Sequence, residues 1–409
     1  MRIFTNTHRR RSPLPTAPRR RHIGIRSMKA LHSLCTGIAC VCLLACQRTE
    51  PGCFSCTLVN MGSVEAGEEQ AALSIDRFVK LQTTDEALIH NIARVIPWRD
   101  RLYVLTSVPH NDVLIFDAAG AFLKKITRGR ADNELIYPTD ISVDEVNGTL
   151  FVLDHYRTIK RFGPDGGFIG RTSLSEPHFH FEALGGGYLF YSLNLSPKNR
   201  HTAYYSPGGK KTRGVYTSVY TGEGHIGAGG LTRRSRDSVV LFPLFSDTVY
   251  LFETRTAALS PLFVFDFRGR SANAPHKVRT FASIDDYNEH IRTGRLYSGP
   301  EGVEYLGDKL FFRFHARRDA FYVYDTHADR LVCCPRMFDD LPDFFGHAGN
   351  DGRALICSYD AEWLLRWFER HPPQTDMGRR IAAACTDEEE NPILVFATIK
   401  PENGGSGNE

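Results

Sequence analysis

Val113-Leu-Ile-Phe-Asp-Ala-Ala-Gly-Ala-Phe122 and Thr158-Ile-Lys-Arg-Phe-Gly-Pro-Asp-Gly-Gly-Phe168 are two copies of one pattern. Each holds a short strand-forming run, a turn closed by glycine, and a second run that reopens on phenylalanine. Phe116 and Phe162 lie 46 residues apart, as do Gly120 and Gly166. A further strand precedes each copy: Arg101-Leu-Tyr-Val-Leu-Thr106 before the first, Thr149-Leu-Phe-Val-Leu-Asp154 before the second. A repeat of about 45 residues, built from short apolar strands and tight turns, is the period of a propeller blade with four antiparallel strands. The glycine supplies the positive φ that a tight hairpin turn demands.

Weaker copies follow. Gly187–Tyr191 leads to Tyr204-Tyr205 and the turn Ser206-Pro207-Gly208-Gly209. Val239–Phe245 leads to Asp247–Phe252 and Leu262–Phe267, and Lys309–Phe314 leads to Ala320–Asp325. Arg353–Cys357 opens a sixth unit. The pattern predicts an all-β fold, a six-bladed β-propeller of four-stranded antiparallel blades over residues 71–400. A charged stretch at 271–298 interrupts it with a short helical insertion around Ile284–Ile291, and Ala361–Glu369 also reads as helical. The last blade of such a ring is usually completed by a strand from the other terminus, which leaves no long free edge. Leu73–Leu81 is the candidate. Residues 401–409 read as a disordered tail.

Composition agrees with short strands and tight turns: 27 Phe, 16 Tyr and 35 Gly in 409 residues. The balance of 50 Lys+Arg against 47 Asp+Glu is nearly neutral. Its basic excess is local, because the arginines at 9–11, 19–21 and 26 all precede Met28. The remainder is slightly acidic and gives no reason to expect nucleic acid as a partner.

Residues 1–27 read as an over-extended start ahead of a better one at Met28. Lys29 then gives a cationic beginning, and Leu34–Ala45 an apolar core of about a dozen residues, too short to span a bilayer but right for a signal peptide over 28–45. It ends in Leu43-Leu44-Ala45-Cys46, which resembles the bacterial lipobox. That resemblance implies that Cys46 receives diacylglycerol and becomes the first residue of a lipid-anchored protein. Residues 46–70 read as a flexible tether. Cys53 and Cys56 form a lone CxxC within it, better suited to a local disulfide or an inert pair than to redox chemistry. Cys333 and Cys334 are adjacent, Cys357 and Cys385 stand alone, and no second CxxC or His pair completes a zinc site.

Several stretches together resemble the six-bladed propeller lipoproteins common in Bacteroidota, themselves similar to NHL-type propellers. They are Phe78–Ile89, Phe116–Gly120, Gly129-Arg130 with Glu134, Phe245–Tyr250, and Asn391–Val395 before Lys400. The resemblance covers about 75–400. It implies an outer-membrane or other cell-envelope lipoprotein, on the periplasmic or surface face, often without an assigned activity. One departure is the family's glycine-rich run after Gly129-Arg130, which is here Ala131-Asp132-Asn133. Gln47-Arg48-Thr49 lacks the acidic cluster associated with surface export, which points to the periplasmic face.

Candidate chemistry is sparse. Gly222-Glu-Gly-His-Ile-Gly227 fits GxGxxG, but strand-rich sequence on both sides makes it an inter-strand loop rather than a dinucleotide site. His178-Phe-His180 would place two imidazoles on one face of a strand, a spacing metals can use. Asp140, Asp154 and Asp247 sit at blade edges, where catalytic propellers gather carboxylates and histidines around a central metal. Aspartate after a hydrophobic strand is more often a turn cap. No Ser nucleophile motif is present, and Asp387–Glu390 reads as a solvated loop. The leading expectation is a monomeric propeller without cofactor, held to the membrane by its N-terminal lipid. It would bind a glycan, peptide or envelope protein on one face. The alternative is a hydrolase or lyase using Ca or Zn in the channel mouth. A third reading is a structural subunit of an envelope complex.

Overall fold

Arg101–Thr106 pairs on one side with Ile92–Trp98 and on the other with Val113–Asp117, which in turn pairs with Phe122–Lys125, all antiparallel. This is the first of six such sheets in the computed structural model. The structure describes residues 56–400 apart from 63, 67–70, 108, 193–200, 221–229, 275–277, 279, 295, 315–316 and 344–346. The chain divides into two units, 1–53, outside the described residues, and 54–409, which holds the propeller.

The second blade runs from Pro138–Val143 through Leu150–Asp154 and Thr158–Phe162 to Phe168–Ser173. The third comprises His180–Leu184, Gly187–Tyr191, His201–Tyr205 and Lys211–Thr217. Gly230–Ser235, Ser238–Phe242, Thr248–Glu253 and Ala258–Asp266 make the fourth. Pro300–Leu306, Lys309–Phe314, Arg317–Asp325 and Arg330–Cys334 make the fifth. The sixth blade begins with His347–Asn350, a strand earlier than the sequence pattern marks it, and continues with Leu355–Tyr359 and Ile393–Ile399. Its fourth strand is Leu73–Lys80 from the N-terminal side. The ring thus closes where the sequence pattern placed the closing strand.

Part of the stretch expected to be a tether is built into the sheets instead. Thr57–Asn60 pairs in parallel with the outer strand of the fourth blade, and Glu65–Ala66 with that of the fifth. The chain therefore runs as a belt along the rim of blades four and five before it completes blade six. Val59 and Met61 are buried against blades four and five, but a run of four residues followed closely by Gly62 is too short to read as a strand from sequence.

Apolar side chains fill the gaps between consecutive blades. Val104 and Phe116 of blade one pack with Ile356 and Phe396 of blade six, and Leu105 and Ile115 pack with Ile141 and Val152 of blade two. Between blades four and five, Phe265 meets Phe312 at 5.1 Å and Phe314 at 5.4 Å between ring centroids. Each fully buried side chain of this size stabilises the fold by roughly 1.5–3 kcal/mol.

The strand order separates two kinds of connection. Links from first to second strand and from third to fourth lie at one end and are two to six residues long, from Arg99-Asp100 to residues 144–149. Links from second to third strand and from blade to blade emerge at the other end. These include the long segments 81–91, 126–137, 267–299 and 360–392. The end that carries them is called the insertion face below. The helix Ile284–Gly294 stands there and buries Tyr287 and Ile291 against Tyr220, Phe245 and Phe281. Helices Ala361–Arg370 and Asp376–Ala384 stand there too, capped by Asp360, which accepts from Trp363 N, and Thr375, which accepts from Gly378 N. They bury Leu364 and Ile381 against blades five and six.

The repeated glycine does two things. Gly120 has φ +92°, and a Cβ there would lie 2.3 Å from the Lys80 carbonyl oxygen on the neighbouring blade's outer strand. Gly269 has a similar φ of +81° with open space around it. In urea denaturation, Gly269→Ala should cost about 1–2 kcal/mol, the left-handed backbone strain alone. Gly120→Ala should cost about 3 kcal/mol or more, because a backbone carbonyl cannot swing aside. Equal losses would mean that the blades do not dock through these turns.

Candidate functional site

The first strand of every blade faces the axis, and together they enclose a cavity of 520 Å³. The third residue of the first strand in four consecutive blades is polar: Arg94, Asp140, Glu182 and Thr232. They form one tier of the lumen wall. Arg94 donates through Nη1 to Asp140 Oδ1 at 2.9 Å and through Nη2 to Glu182 Oε1, so one guanidinium spans three blades. Arg233 reaches back from blade four. Its Nε lies 3.2 Å from Glu182 Oε2, and its Nη1 and Nη2 donate to the carbonyls of Val143 and Ala183 at 2.6 and 2.5 Å. Ser142 Oγ completes the cluster with a 3.0 Å bond to Glu182 Oε2. Across the lumen Glu304 Oε2 accepts from Thr232 Oγ1 at 2.9 Å and from Asn350 Nδ2.

Asp140 and Glu182 are almost wholly buried. Burial alone would raise the Asp140 carboxyl, but Arg94, His180 and the Phe181 N–H at 2.8 Å outweigh it and hold it below the usual carboxylate range. Arg94 is held charged in the same way: burial opposes the charge, and the two carboxylates overcome it. Arg94, Arg233, Asp140 and Glu182 thus form a set of fixed, mutually neutralised charges on the wall.

Of the residues marked in the sequence, the structure brings two together here. Asp140 Oδ2 and His180 Nδ1 are 3.6 Å apart on the lumen wall, and His180 is 45% exposed. His178 does not share their face, contrary to the expected pair of imidazoles. The strand starts only at His180, and His178 lies before it, fully buried. Its Nδ1 bonds Ser192 Oγ at 2.9 Å, its Nε2 bonds Tyr205 Oη at 3.1 Å, and the ring stacks on Phe190 at 4.3 Å. Asp154 is also buried away from the lumen. It accepts from the Ile136 and Tyr137 N–H groups at 3.0 and 2.7 Å and pairs with Lys160 Nζ at 3.0 Å. Asp247 fastens the helical insertion. It accepts from Ser271 Oγ at 2.8 Å and Asn273 Nδ2 at 2.5 Å, while Tyr287 Oη donates to Asn273 Oδ1 at 2.7 Å. Burial raises the Asp247 carboxyl, and those two donors only partly offset it.

Among the described residues, no group of three His, Cys, Asp or Glu side chains is placed to hold a metal ion. Burial pushes the Cys334 and Cys385 thiols up to about 11 and Cys357 up to about 12, so these cysteines are packing groups rather than nucleophiles. Cys46, Cys53 and Gly222–Gly227 lie outside the described residues. Arg94, Glu182 and Arg233 were missed in the sequence. For Arg94 and Glu182 the signal is one acidic or basic residue inside a short, mainly apolar strand, and Arg94 and Asp140 stand 46 residues apart, at the period of the repeat; Arg233, beside Arg234 in a polar strand, carries no such signal.

The family model described as Domain of unknown function (DUF4934) matches residues 71–398. The chain belongs to the DUF4934 family. No curated protein matches this DUF4934 chain in sequence. Among solved structures it is similar to a Bacteroides fragilis protein described as a candidate exported protein. That likeness has a TM-score of 0.69 at 18% identity and covers 84% of this chain and 100% of the other. Weaker likenesses are to BamB from Moraxella catarrhalis (TM-score 0.39, 9% identity, 63% and 66% covered) and a Bacteroides caccae protein of unknown function (0.37, 10%, 59% and 86%). The first shares the fold of this DUF4934 protein, and the other two are too distant to inform its site.

Two predictions follow from these side chains. Arg94→Ala leaves Asp140 buried without a guanidinium and Glu182 with Arg233 alone, and should cost about 3 kcal/mol of unfolding free energy. Adding Asp140→Asn should restore much of it, and no restoration would show that packing, not charge, is what Arg94 supplies. Burial lowers the His178 imidazole to about 4 from an ordinary 6.5. The unfolded chain therefore binds the extra proton first. Stability should be full above pH 6.5 and fall as pH drops towards 4, by about 3 kcal/mol. His178→Gln should flatten that slope in unfolding measured against pH.

Proposed function

We propose that this DUF4934 protein is an exported binding module, anchored to the cell envelope through Cys46. Its insertion face would present the channel mouth to a glycan, peptide or protein partner. One observation carries this reading: the inner strands of the six blades line a concave lumen in which Arg94, Arg233, Asp140 and Glu182 hold one another in place. Loops gathered on a rigid ring around a preformed cavity suit recognition. Catalysis finds less support. A general acid or base works best with a pKa near the operating pH, and Asp140 is held the other way. The hydrolase or lyase reading also lacks a three-residue donor set among the described residues. Export is supported by the lipobox and by the description of the B. fragilis structure.

The test is thermal unfolding of the purified full chain against a panel of oligosaccharides and peptidoglycan stem peptides. A ligand at a hundredfold excess over its Kd should stabilise the fold by about 2.7 kcal/mol. Ala93→Trp, which fills the lumen from the exposed second residue of the first blade, should abolish the effect. Stabilisation that survives Ala93→Trp would place binding elsewhere. Stabilisation by Ca²⁺ or Zn²⁺ alone, lost in His180→Ala, would favour the metalloenzyme instead.

A further inference from the structure

His155 and Tyr156 are consecutive non-glycine residues in the left-handed region, with φ +49° and +63°. They form the tight link between the second and third strands of blade two, on the insertion face. A residue with a side chain pays about 1–2 kcal/mol for that conformation, and such strain persists only where surrounding contacts fix it. Here His155 N–H donates to Tyr137 O at 2.9 Å, and Tyr156 O accepts from His178 N–H at 2.8 Å. The turn is thus wedged between the residues leading into the inner strands of blades two and three.

Its effect is to set aromatic rings at the rim of the channel. The Tyr156 ring lies 4.9 Å from Phe179, inclined by 56°, and 5.8 Å from Tyr137, inclined by 44°. All three rings are half-buried and His155 is exposed. The inclinations make a shallow cup rather than a flat stack. Tyr137 and Phe179 immediately precede Pro138–Val143 and His180–Leu184, so Thr139 and His180 of the lumen wall flank the cup. Burial raises the Tyr156 phenol, and the neighbouring Tyr137 raises it further, which keeps the Tyr156 hydroxyl protonated and polar at neutral pH.

We propose that this cup is a saccharide platform, with Tyr156, Tyr137 and Phe179 seating the apolar face of a pyranose ring and Thr139 and His180 meeting its hydroxyls. The chemistry favours a sugar over a peptide side chain. Half-exposed aromatic rings with phenolic edges offer an apolar face and a polar tip together. A pyranose likewise joins a C–H face to peripheral hydroxyls, which the Thr139 hydroxyl can meet as an acceptor and the His180 imidazole as either partner, with the exposed Arg157 in the same link as a further donor. The inference rests on the binding-module reading above and narrows it to glycans at one sector of the mouth.

Isothermal titration of the full chain with maltohexaose, xylohexaose and chitopentaose tests it. At least one should bind, and Tyr156→Ala and Tyr137→Ala should each weaken it tenfold or more without moving the thermal midpoint by more than a few degrees. Tyr156→Phe should retain most of the affinity, since it keeps the ring face. Should Tyr156→Ala fail to fold, Tyr156→Leu keeps the volume but not the aromatic face and carries the same expectation. Binding that survives both alanine variants overturns the platform. So does a chain that binds none of the three saccharides. If stem peptides alone give stabilisation sensitive to Ala93→Trp, the platform falls while the binding module stands.

Discussion

The ring holds because two ends of the chain meet in one sheet. Ile393–Ile399 pairs with Leu73–Lys80 from Ile393↔Lys80 to Ile399↔Leu73, so residues more than 300 apart share a ladder of backbone hydrogen bonds. Every other interface between blades presupposes that the circle is closed. Asn391, fully buried, locks the junction. Its Nδ2 donates to the carbonyls of Gln82 and Ala87 at 2.8 and 2.5 Å, its Oδ1 accepts from Ile89 N–H at 2.7 Å, and its own N–H meets Thr83 Oγ1 at 2.8 Å. Lys80 Nζ pairs with Glu390 at 2.6 Å beside it. The polar cost of burying one amide is met by four hydrogen bonds, and the loop leading into blade one is fixed as a result. The belt of Thr57–Asn60 and Glu65–Ala66 extends the same chain along two more blades.

Closure brings six inner strands towards one axis, and polar groups there must find partners or stay wet. The lumen resolves this with arginines long enough to serve several blades at once. Paired charges in a half-buried site gain little net stability over apolar packing, but losing one partner is costly. Their contribution is therefore geometric. Arg94 and Arg233 hold blades one to four at a set spacing, and the cavity wall does not depend on a ligand for its shape. A wall of that kind can discriminate by shape and hydrogen bonding.

Blades one and two were legible because their turn glycines, Gly120 and Gly166, both take positive φ, and at Gly120 the neighbouring outer strand approaches as well. Where insertions break the period, the signal weakens. Blade six was read from its second strand, its closing strand and the Asn391–Val395 stretch, but its first strand His347–Asn350 was missed, and 33 residues separate Tyr359 from Ile393. The helix Asp376–Ala384 went unread because its short sequence carries Gly378 and two arginines and buries only Gly378 and Ile381. At the site, Asp140 and His180 were visible as residue types, but Arg94 and Glu182 show as partners only once the inner strands are aligned by position. The separation of His178 from His180 turns on where one strand begins, a boundary that the alternation Pro177-His178-Phe179-His180 does not mark.

The two ends of the ring are under different constraints. At the tight-turn end the links between strands must return within a few residues, and a glycine such as Gly120 must also admit the neighbouring blade's carbonyl, so side chains there are dictated by closure. At the insertion face the same blades tolerate helices, long connections and a strained His155-Tyr156 turn without loss of the ladder beneath. Freedom of sequence and aromatic surface therefore coincide at one end, next to a cavity whose shape the arginine braces already hold. The insertion face is therefore where the chain carries its long connections while the ladder beneath them is kept.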